Sequence, residues 1–309
     1  MSEARAGAVL VTGAGSGIGR ALAEALLAAG RPVWACARRP AHLRALAALG
    51  ARPLRLDVTE PDDVAAAAAA VAEAGDGLAG LVHNAGVGGI APLAGWPDAD
   101  LQALFDTNVF GPHRLTNALL PALLAAQGRI VCIGSMGGSI TSPTMGPYTM
   151  SKHALEAYAD CLRQELAPHG VAVAIVQPGA VATDIGANGH DGNLARLAAT
   201  PAPFDGLAQA VAQALRTPAE PDPAAPESAA NRRFAAPAAV AEVVMQALFA
   251  AQPQARYLVG TRWESDRVVE ALITRLIDAA QSPSQGLGEE ALLERVRKAW
   301  RGRGHPAPG

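Results

Sequence analysis

Cysteine is nearly absent from this chain, with three in 309 residues: Cys36, Cys132 and Cys161. No CxxC pair occurs, and no cysteine–histidine grouping has the spacing of a zinc site, so the sequence argues for neither a disulfide framework nor a structural metal. The three lie far apart inside apolar stretches and read as buried thiols in a reducing compartment. Charge is also sparse. Charged residues make up 17% of the chain, the two signs are interspersed, and the formal net charge is −3. That leaves no nucleic-acid footprint and no basic membrane-binding face. No uninterrupted apolar run approaches the roughly eighteen residues of a membrane span. The run "VAAAAAAVAEAG" is alanine-rich and short. The opening "MSEARAGAVLVTG" has no long apolar core followed by a cleavage site, so it does not read as a secretory signal. These absences favour a soluble, cytoplasmic protein that binds neither nucleic acid nor membrane.

Half of the residues are apolar, enough to bury a sizeable core. Short apolar runs alternate with helix-length amphipathic runs. "GAVLVTG", "PVWACAR", "RPLRLDV", "GLVHNAG", "GRIVCIGS" and "GVAVAIVQPG" read as strands, each followed by helical text, including one long helix from about Asp98 to Gln127. Continuous apolar strands in a repeating βα order imply an α/β fold: a single-domain, Rossmann-type doubly wound parallel sheet with helices on both faces. The pattern breaks after Pro178, where only one or two weak helices such as "FDGLAQAVAQALR" can be read, and resumes with "PAAVAEVVMQALFAA" and a last strand "ARYLVG". The domain is therefore expected over 6–262, with an irregular substrate-binding lid inserted at 179–237 and a C-terminal helical extension over 263–309. Long irregular insertions in α/β domains are often lids, and a plain surface loop is the competing reading for "EPDPAAPES".

The text "VTGAGSGIGRALAEAL" follows the first strand directly. It does not fit G-x-G-x-x-G in any register. Its spacing is T-G-x-x-x-G-x-G, carried by Thr12, Gly13, Gly17 and Gly19, with Ser16 and Ile18 between the glycines. A turn without Cβ atoms lets backbone N–H groups approach a pyrophosphate, and the helix N-terminus favours its charge. The strand-to-helix context is what such a turn needs to bind a nucleotide. The end of the second strand then reads "ACARRP", with Arg38 and Arg39 and no carboxylate between Arg31 and Pro53. A carboxylate there would repel a 2′-phosphate, whereas a guanidinium binds it bidentately. NADP(H) is favoured on that ground, NAD(H) remaining possible, with Arg38 ahead of Arg39. Both arginines could instead be solvated loop residues. Ser16 stands where some NADP binders carry a cation, so the signal is not doubled.

In "YTMSKHALEAYADCLRQEL", Tyr148 and Lys152 are one helical turn apart on one face. Neither side chain is an acid or base at neutral pH when unperturbed. They could be a packed aromatic and a solvated cation, or a phenol tuned by an ammonium. The ordered set decides. TGxxxGIG at Thr12–Gly19, Asp57 in "LDV", "HNAG" at His83–Gly86, Asn108 in "NVFG", Ser135 thirteen residues before Tyr148, Tyr148-x-x-x-Lys152 and "PGAVATD" resemble the short-chain dehydrogenases/reductases, on their hydroxysteroid- and retinol-dehydrogenase side. The resemblance covers roughly residues 6 to 262. His83 departs from it, standing where the family often has Asn.

The resemblance implies a role for each residue. Tyr148 would be the catalytic acid/base, Lys152 would lower its pKa and bond the nicotinamide ribose, and Ser135 would orient the substrate oxygen. Asn108 would hold a water linking Lys152 to solvent. Asp57 and Val58 would meet the adenine, and Asn84, Ala85 and Gly86 the adenosine ribose and flank. The backbone near Val181 and the hydroxyl of Thr183 would hold the carboxamide, with Pro178 and Gly179 also on the cofactor. No metal is implied. A homodimer or homotetramer would form through the helices carrying Asn108 and Tyr148, whose outer faces include Leu115, Leu119, Leu155, Tyr158 and Leu162; those leucines could equally pack on the sheet.

The substrate pocket's lip should come from Trp96, Met136, Ile140, Met145, Pro147 and Ile185, mostly apolar. That favours a small apolar ketone, aldehyde or alcohol. Arg196, Arg216, Arg232 and Arg233 in the insertion could still fold over a charged one. The competing functions are an NAD-dependent secondary-alcohol dehydrogenase, a cofactor-sensing protein without chemistry, and an extended-branch epimerase or dehydratase. That last branch uses another glycine spacing and a longer C-terminal domain.

Overall fold

The computed structural model describes residues 7–183, 185, 189–217 and 220–302. Seven parallel strands form one sheet: β1 (Ala8–Val11), β2 (Val33–Ala37), β3 (Arg52–Arg55), β4 (Leu78–His83), β5 (Arg129–Ile133), β6 (Ala172–Pro178) and β7 (Arg256–Val259). Their order is β3-β2-β1-β4-β5-β6-β7. The order reverses between β1 and β4, so a crevice opens at the carboxyl ends of those strands. β1, β4 and β5 are buried along their whole length because helices cover both faces, which is why they read as unbroken apolar runs.

One face packs on α1 (Gly17–Ala28) and α9 (Pro237–Phe249), through Val9, Val11, Leu22, Leu26, Val240 and Val244. The other packs on α3 (Pro61–Ala74), α5 (Gly111–Ala126) and α6 (Gly146–Leu166), through Leu10, Leu81, Leu115, Leu119, Ile130 and Leu155. Side chains so fully buried stabilise the fold by about 1.5–3 kcal/mol each. Between β2 and β3 lies α2 (Pro40–Ala48), and α4 (Asp98–Phe105) precedes α5. Pro40, Pro61, Pro147 and Pro237 all sit in first turns, where a missing N–H costs nothing.

The long helix expected from Asp98 to Gln127 is interrupted. A π turn, Asp106–Phe110, separates α4 from α5. Pro112 has no N–H to give the Asn108 carbonyl, so the ladder slips and the Gly111 N–H reaches back to Asp106. The insertion is more regular than its composition suggests. α7 (His190–Ala198) and α8 (Asp205–Arg216) pack Leu197, Ala208 and Ala212 against Ala91 in a small core of their own, with Trp96 and Leu194 beside it. Ala208 and Ala212 share one face and let the helices approach closely.

Two expectations change here. Cys36 and Cys132 are buried, but Cys161 is exposed, because it points off the outer side of α6. Leu115, Leu119 and Leu155 are sheet-facing core residues rather than an outer face. The large apolar residues that those helical segments do expose are Phe110 and Met150, at 50% and 45%. The chain divides into two compact units between Ser265 and Asp266. The second contains most of α10 (Arg262–Ala280) and all of α11 (Glu289–Gly302). No helix among the described residues is long and apolar enough to cross a membrane.

Candidate active site

At the carboxyl edge of β1, the glycine turn passes under β4. Gly13 and Gly17 have φ of +63° and +53°, a left-handed backbone that side chains disfavour. A Cβ on Gly19 would stand 2.5 Å from the Gly13 carbonyl oxygen, so only glycine lets α1 start this close to the turn. Thr12 and Asn84 lock the turn from behind. The Thr12 hydroxyl donates to Val82 O at 3.2 Å and accepts from the N–H groups of Asn84 and Ala85 at 2.9 Å. Asn84 Nδ2 donates to Thr12 O and Gly13 O at 2.9 and 3.2 Å. Thr12 and Gly19 therefore shape the turn from the inside, while Gly13, Ser16, Gly17 and Ile18 face the cleft.

That cleft is a cavity of about 460 Å³ running from the end of β2 to the start of α6. At its outer end stand Arg38 and Arg39, with Asp57 and Val58 beside them. Arg38 Nη1 lies 3.2 Å from Asp57 Oδ2, and the arginine side chain is 67% exposed. The Asp57 carboxyl is held below the usual range. Partial burial pushes it up, and hydrogen bonds from Thr59 and Arg38 outweigh that. His42 also reaches this end; a Cβ on Gly15 would stand 2.2 Å from its Nδ1. Sequence reasoning passed over His42, since a lone histidine in a helix carries no motif. Asn84, Ala85, Gly86, Pro178, Gly179, Val181 and Thr183 line the middle and inner walls, together with Thr107 and Ile133, which no motif marks.

Ser135, Tyr148 and Lys152 meet at the inner end. Ser135 lies two residues beyond β5 and caps a short 3-10 turn, its hydroxyl accepting from Gly137 N–H at 3.0 Å and also bonding the Tyr148 phenol. Lys152 is 6% exposed and donates from Nζ to Ile133 O at 2.9 Å. Burial pulls its pKa down to about 8, against the opposing pull of Cys132 and Glu156. The Lys152 ammonium stands 5.7 Å from the centroid of the Tyr148 ring. The phenol is nevertheless pushed above its ordinary value by burial, with the Ser135 hydrogen bond pulling it back. This corrects the expectation that Lys152 lowers it here. The ammonium is aimed at the Ile133 carbonyl, and desolvation dominates the phenol. The Tyr148 phenol thus keeps its proton at neutral pH.

Asn108 does not line the cleft. Its Oδ1 accepts from Val87 N–H at 2.9 Å, and its Nδ2 donates to Val87 O at 2.9 Å and Ser151 Oγ at 3.0 Å. The side chain clamps the segment after β4 onto α6, and any role in holding water falls to its carbonyl, freed by Pro112. His83 is 3% exposed, with Nε2 2.8 Å from Thr116 Oγ1. Burial pulls its pKa down to about 3, so it is a neutral core residue.

Of the expected lip residues, Ile185 lines the cavity, beside Gly88 and Gly189. Met136 is buried and Trp96 stacks under Arg196, its ring centroid 4.3 Å from the guanidinium carbon. Three insertion arginines are already engaged. Arg196 pairs with Asp100 at 2.7 Å, Arg232 pairs with Glu264, and Arg233 donates to the carbonyls of Pro223 and Ala225.

Residues 7–193 match the short chain dehydrogenase family, and the chain belongs to it. It is 40% identical over 177 residues to an uncharacterized oxidoreductase of Escherichia coli K12, YbbO, covering 57% of this chain and 66% of that one. It is 40% identical over 183 residues to mouse retinol dehydrogenase 5, covering 57% of each. Its fold matches a Burkholderia cenocepacia short chain dehydrogenase solved in complex with NADP, with a TM-score of 0.66, 25% identity, and coverage of 91% of this chain and 98% of that one. The matched region thus spans 57 to 66% of the two curated relatives' lengths.

Proposed function

We propose that the protein is an NADP(H)-dependent oxidoreductase that interconverts an apolar ketone or aldehyde and the corresponding alcohol. The observation that carries this reading is the convergence of Ser135, Tyr148 and Lys152 at one end of a single cleft whose other end is rimmed by Arg38. The glycine turn fits a dinucleotide, since Gly17 and Gly19 admit no side chain and α1 presents its N-terminus to the cavity. A nicotinamide coenzyme, when bound there, supplies or accepts the hydride.

The protein's own residues handle the proton and the developing charge. Tyr148 holds a proton on its hydroxyl and donates it to the carbonyl oxygen. Ser135 orients that oxygen and stabilises its charge. Lys152 keeps a positive charge beside the phenol below about pH 8. The apolar character is supported by engaged arginines: of the four in the insertion, Arg196, Arg232 and Arg233 are held by protein partners. The kinship with a retinol dehydrogenase points the same way. Buried thiols at Cys36 and Cys132 suit a reducing, cytoplasmic setting. Assembly as a homodimer or homotetramer would cover Phe110 and Met150.

The Arg38–Asp57 pair gives the NAD(H) reading its one support, because the carboxylate already balances part of the guanidinium's charge. Absorbance at 340 nm with NADPH, with NADH in parallel, and a panel of apolar ketones and aldehydes tests both. Turnover favouring NADPH and lost in Tyr148→Phe is the expected result. Faster turnover with NADH would transfer the cofactor assignment to NAD(H). Cofactor binding without turnover in either direction would favour a sensor.

A further inference from the structure

The wall formed by Pro178, Gly179, Val181 and Thr183 belongs to no helix, yet it is held on every side. Gly179 N–H donates to Val259 O at 2.8 Å. The Ala180 carbonyl accepts from Ala235 N–H at 2.8 Å, and Ala182 N–H donates to Ala235 O at 3.0 Å, a short parallel bridge. A further donor, Ala180 N–H, goes to a side chain: Glu264 Oε1, at 2.8 Å. The same oxygen accepts from Arg232, in the stretch leading to that bridge.

Glu264 is 2% exposed. Its second oxygen accepts from Thr261 N–H at 3.3 Å, and its own N–H donates to the Thr261 hydroxyl at 3.3 Å. This reciprocal pair is a capping box for α10, in the sequence "TRWE". Capping uses Oε2 and leaves Oε1 spare. Two glycines make room for the carboxyl group as a whole. A Cβ on Gly179 would stand 2.1 Å, and one on Gly260 2.6 Å, from Glu264 Oε2. A capping residue on the surface needs no such recess. Beyond the wall, the Thr183 methyl would stand 3.0 Å from a Cβ on Gly17, so this segment roofs the glycine turn.

We propose that Glu264 is a positioning residue for the nicotinamide end of the cleft. With Arg232 as its charge partner, it sets the wall against which that end must seat. The inference rests on the cofactor reading above. It differs from a helix cap in one respect: removing Glu264 should harm binding of the nicotinamide end and leave the adenosine end alone.

The experiment uses the full chain and two ligands, NADPH and adenosine 2′,5′-bisphosphate, which lacks the nicotinamide half. Glu264→Ala should weaken NADPH by about tenfold, the effect of one lost charged hydrogen bond, and leave the bisphosphate within about twofold. Glu264→Gln and Arg232→Met should show the same selectivity at smaller size, and they carry the test if Glu264→Ala does not fold. Thr261→Ala removes the cap but not the Oε1 contacts, so it should lower thermal stability with no ligand selectivity. Hydrogen exchange over 179–183 in the ligand-free protein should speed up in Glu264→Ala and not in Thr261→Ala. Equal weakening of both ligands, or unchanged exchange, overturns the positioning role. Wild-type protein that binds neither ligand overturns the cofactor reading, and this inference with it.

Discussion

The two ends of the cleft are built by opposite rules. At the inner end, Asn108, Ser151 and Lys152 are 1%, 0% and 6% exposed, and each has named partners: Val87 and Ser151 for Asn108, Tyr148 for Ser151, Ile133 for Lys152. At the outer end, Arg38 is two-thirds exposed with one ion pair, and Arg39 lies open beside it. A buried polar group must be satisfied, so its identity and its neighbours' positions are fixed together. An exposed cation can reach an anion from many rotamers, so its position is loosely specified. The proposed chemistry falls where the structure tolerates least change, and the proposed cofactor choice where it tolerates most.

The strongest attempt to break this contrast is Tyr148→Phe. It removes a single oxygen from the inner end and should cost carbonyl reduction about 10²–10⁴-fold, the range of a general acid. NADPH affinity, read by fluorescence titration, should stay nearly constant. A comparable loss of affinity would mean that Tyr148 supports the cofactor rather than the proton. Asn108→Ala should act through structure. It leaves the Val87 amide and carbonyl and the Ser151 hydroxyl short of a partner, at about 1–3 kcal/mol for a buried unsatisfied group, so a total near 2–4 kcal/mol is expected from chemical denaturation. Activity should fall with it, because the segment after β4 is released from α6. A variant as stable as wild type would show that water or a neighbour replaces the clamp, and the inner end would be less rigidly determined than argued here.

How far the sequence could be read follows from the same contrast. The βα succession of a parallel sheet and the grouping of Ser135, Tyr148 and Lys152 were legible because each rests on short fixed intervals along a strand, turn or helix. The π turn at Asn108 was not, although its cause is visible in Pro112: a proline near the middle of an apolar helical pattern reads equally as a helix start. Of the α7–α8 pair, α8 was legible as a weak helix in "FDGLAQAVAQALR", while α7 and the packing of Ala208 and Ala212 were hidden by alanine content, which lowers apolar contrast. Leu115, Leu119 and Leu155 stayed open between an outer face and the sheet because a leucine stripe does not say what it faces. Glu264 stood in a plain capping-box spacing, and nothing in "TRWE" shows that one carboxylate oxygen continues to Ala180.

The pH profile probes the boundary between the two ends. Lys152 has its pKa drawn down to about 8 from 10.5. Below that value it carries its charge, and above it the ammonium beside Tyr148 is lost. The rate constant kcat/KM for NADPH reports the free protein, so it should fall as pH rises through about 8, approaching tenfold per unit. The stability sign is opposite. Between about 8 and 10.5 the unfolded chain binds more protons at this lysine than the folded one, so this group makes the ligand-free protein more stable as pH rises across that window. Lys152→Met should remove both effects. A rate profile flat to pH 10 would mean that bound coenzyme restores the lysine to its ordinary range before it matters.

The smallest effects belong to the outer end, and they sharpen the comparison most. Arg38→Met should lower the preference for NADPH over NADH by about tenfold, the share of one charged hydrogen bond to a phosphate. It should also release Asp57, whose carboxyl would lose the Arg38 part of its depression while keeping the Thr59 hydrogen bonds. Arg39→Met should stay within about twofold, because exposed charges without fixed geometry contribute little. The ratio kcat/KM for NADPH over NADH measures all of this without any change in protein stability. If the two variants lose preference equally, the cations act as a diffuse field, and the outer end is specified by charge alone. If Arg38→Met raises NADH turnover while NADPH turnover holds, the Asp57 carboxylate it releases has become a ribose ligand. The Arg38–Asp57 contact would then be the switch between the two coenzymes.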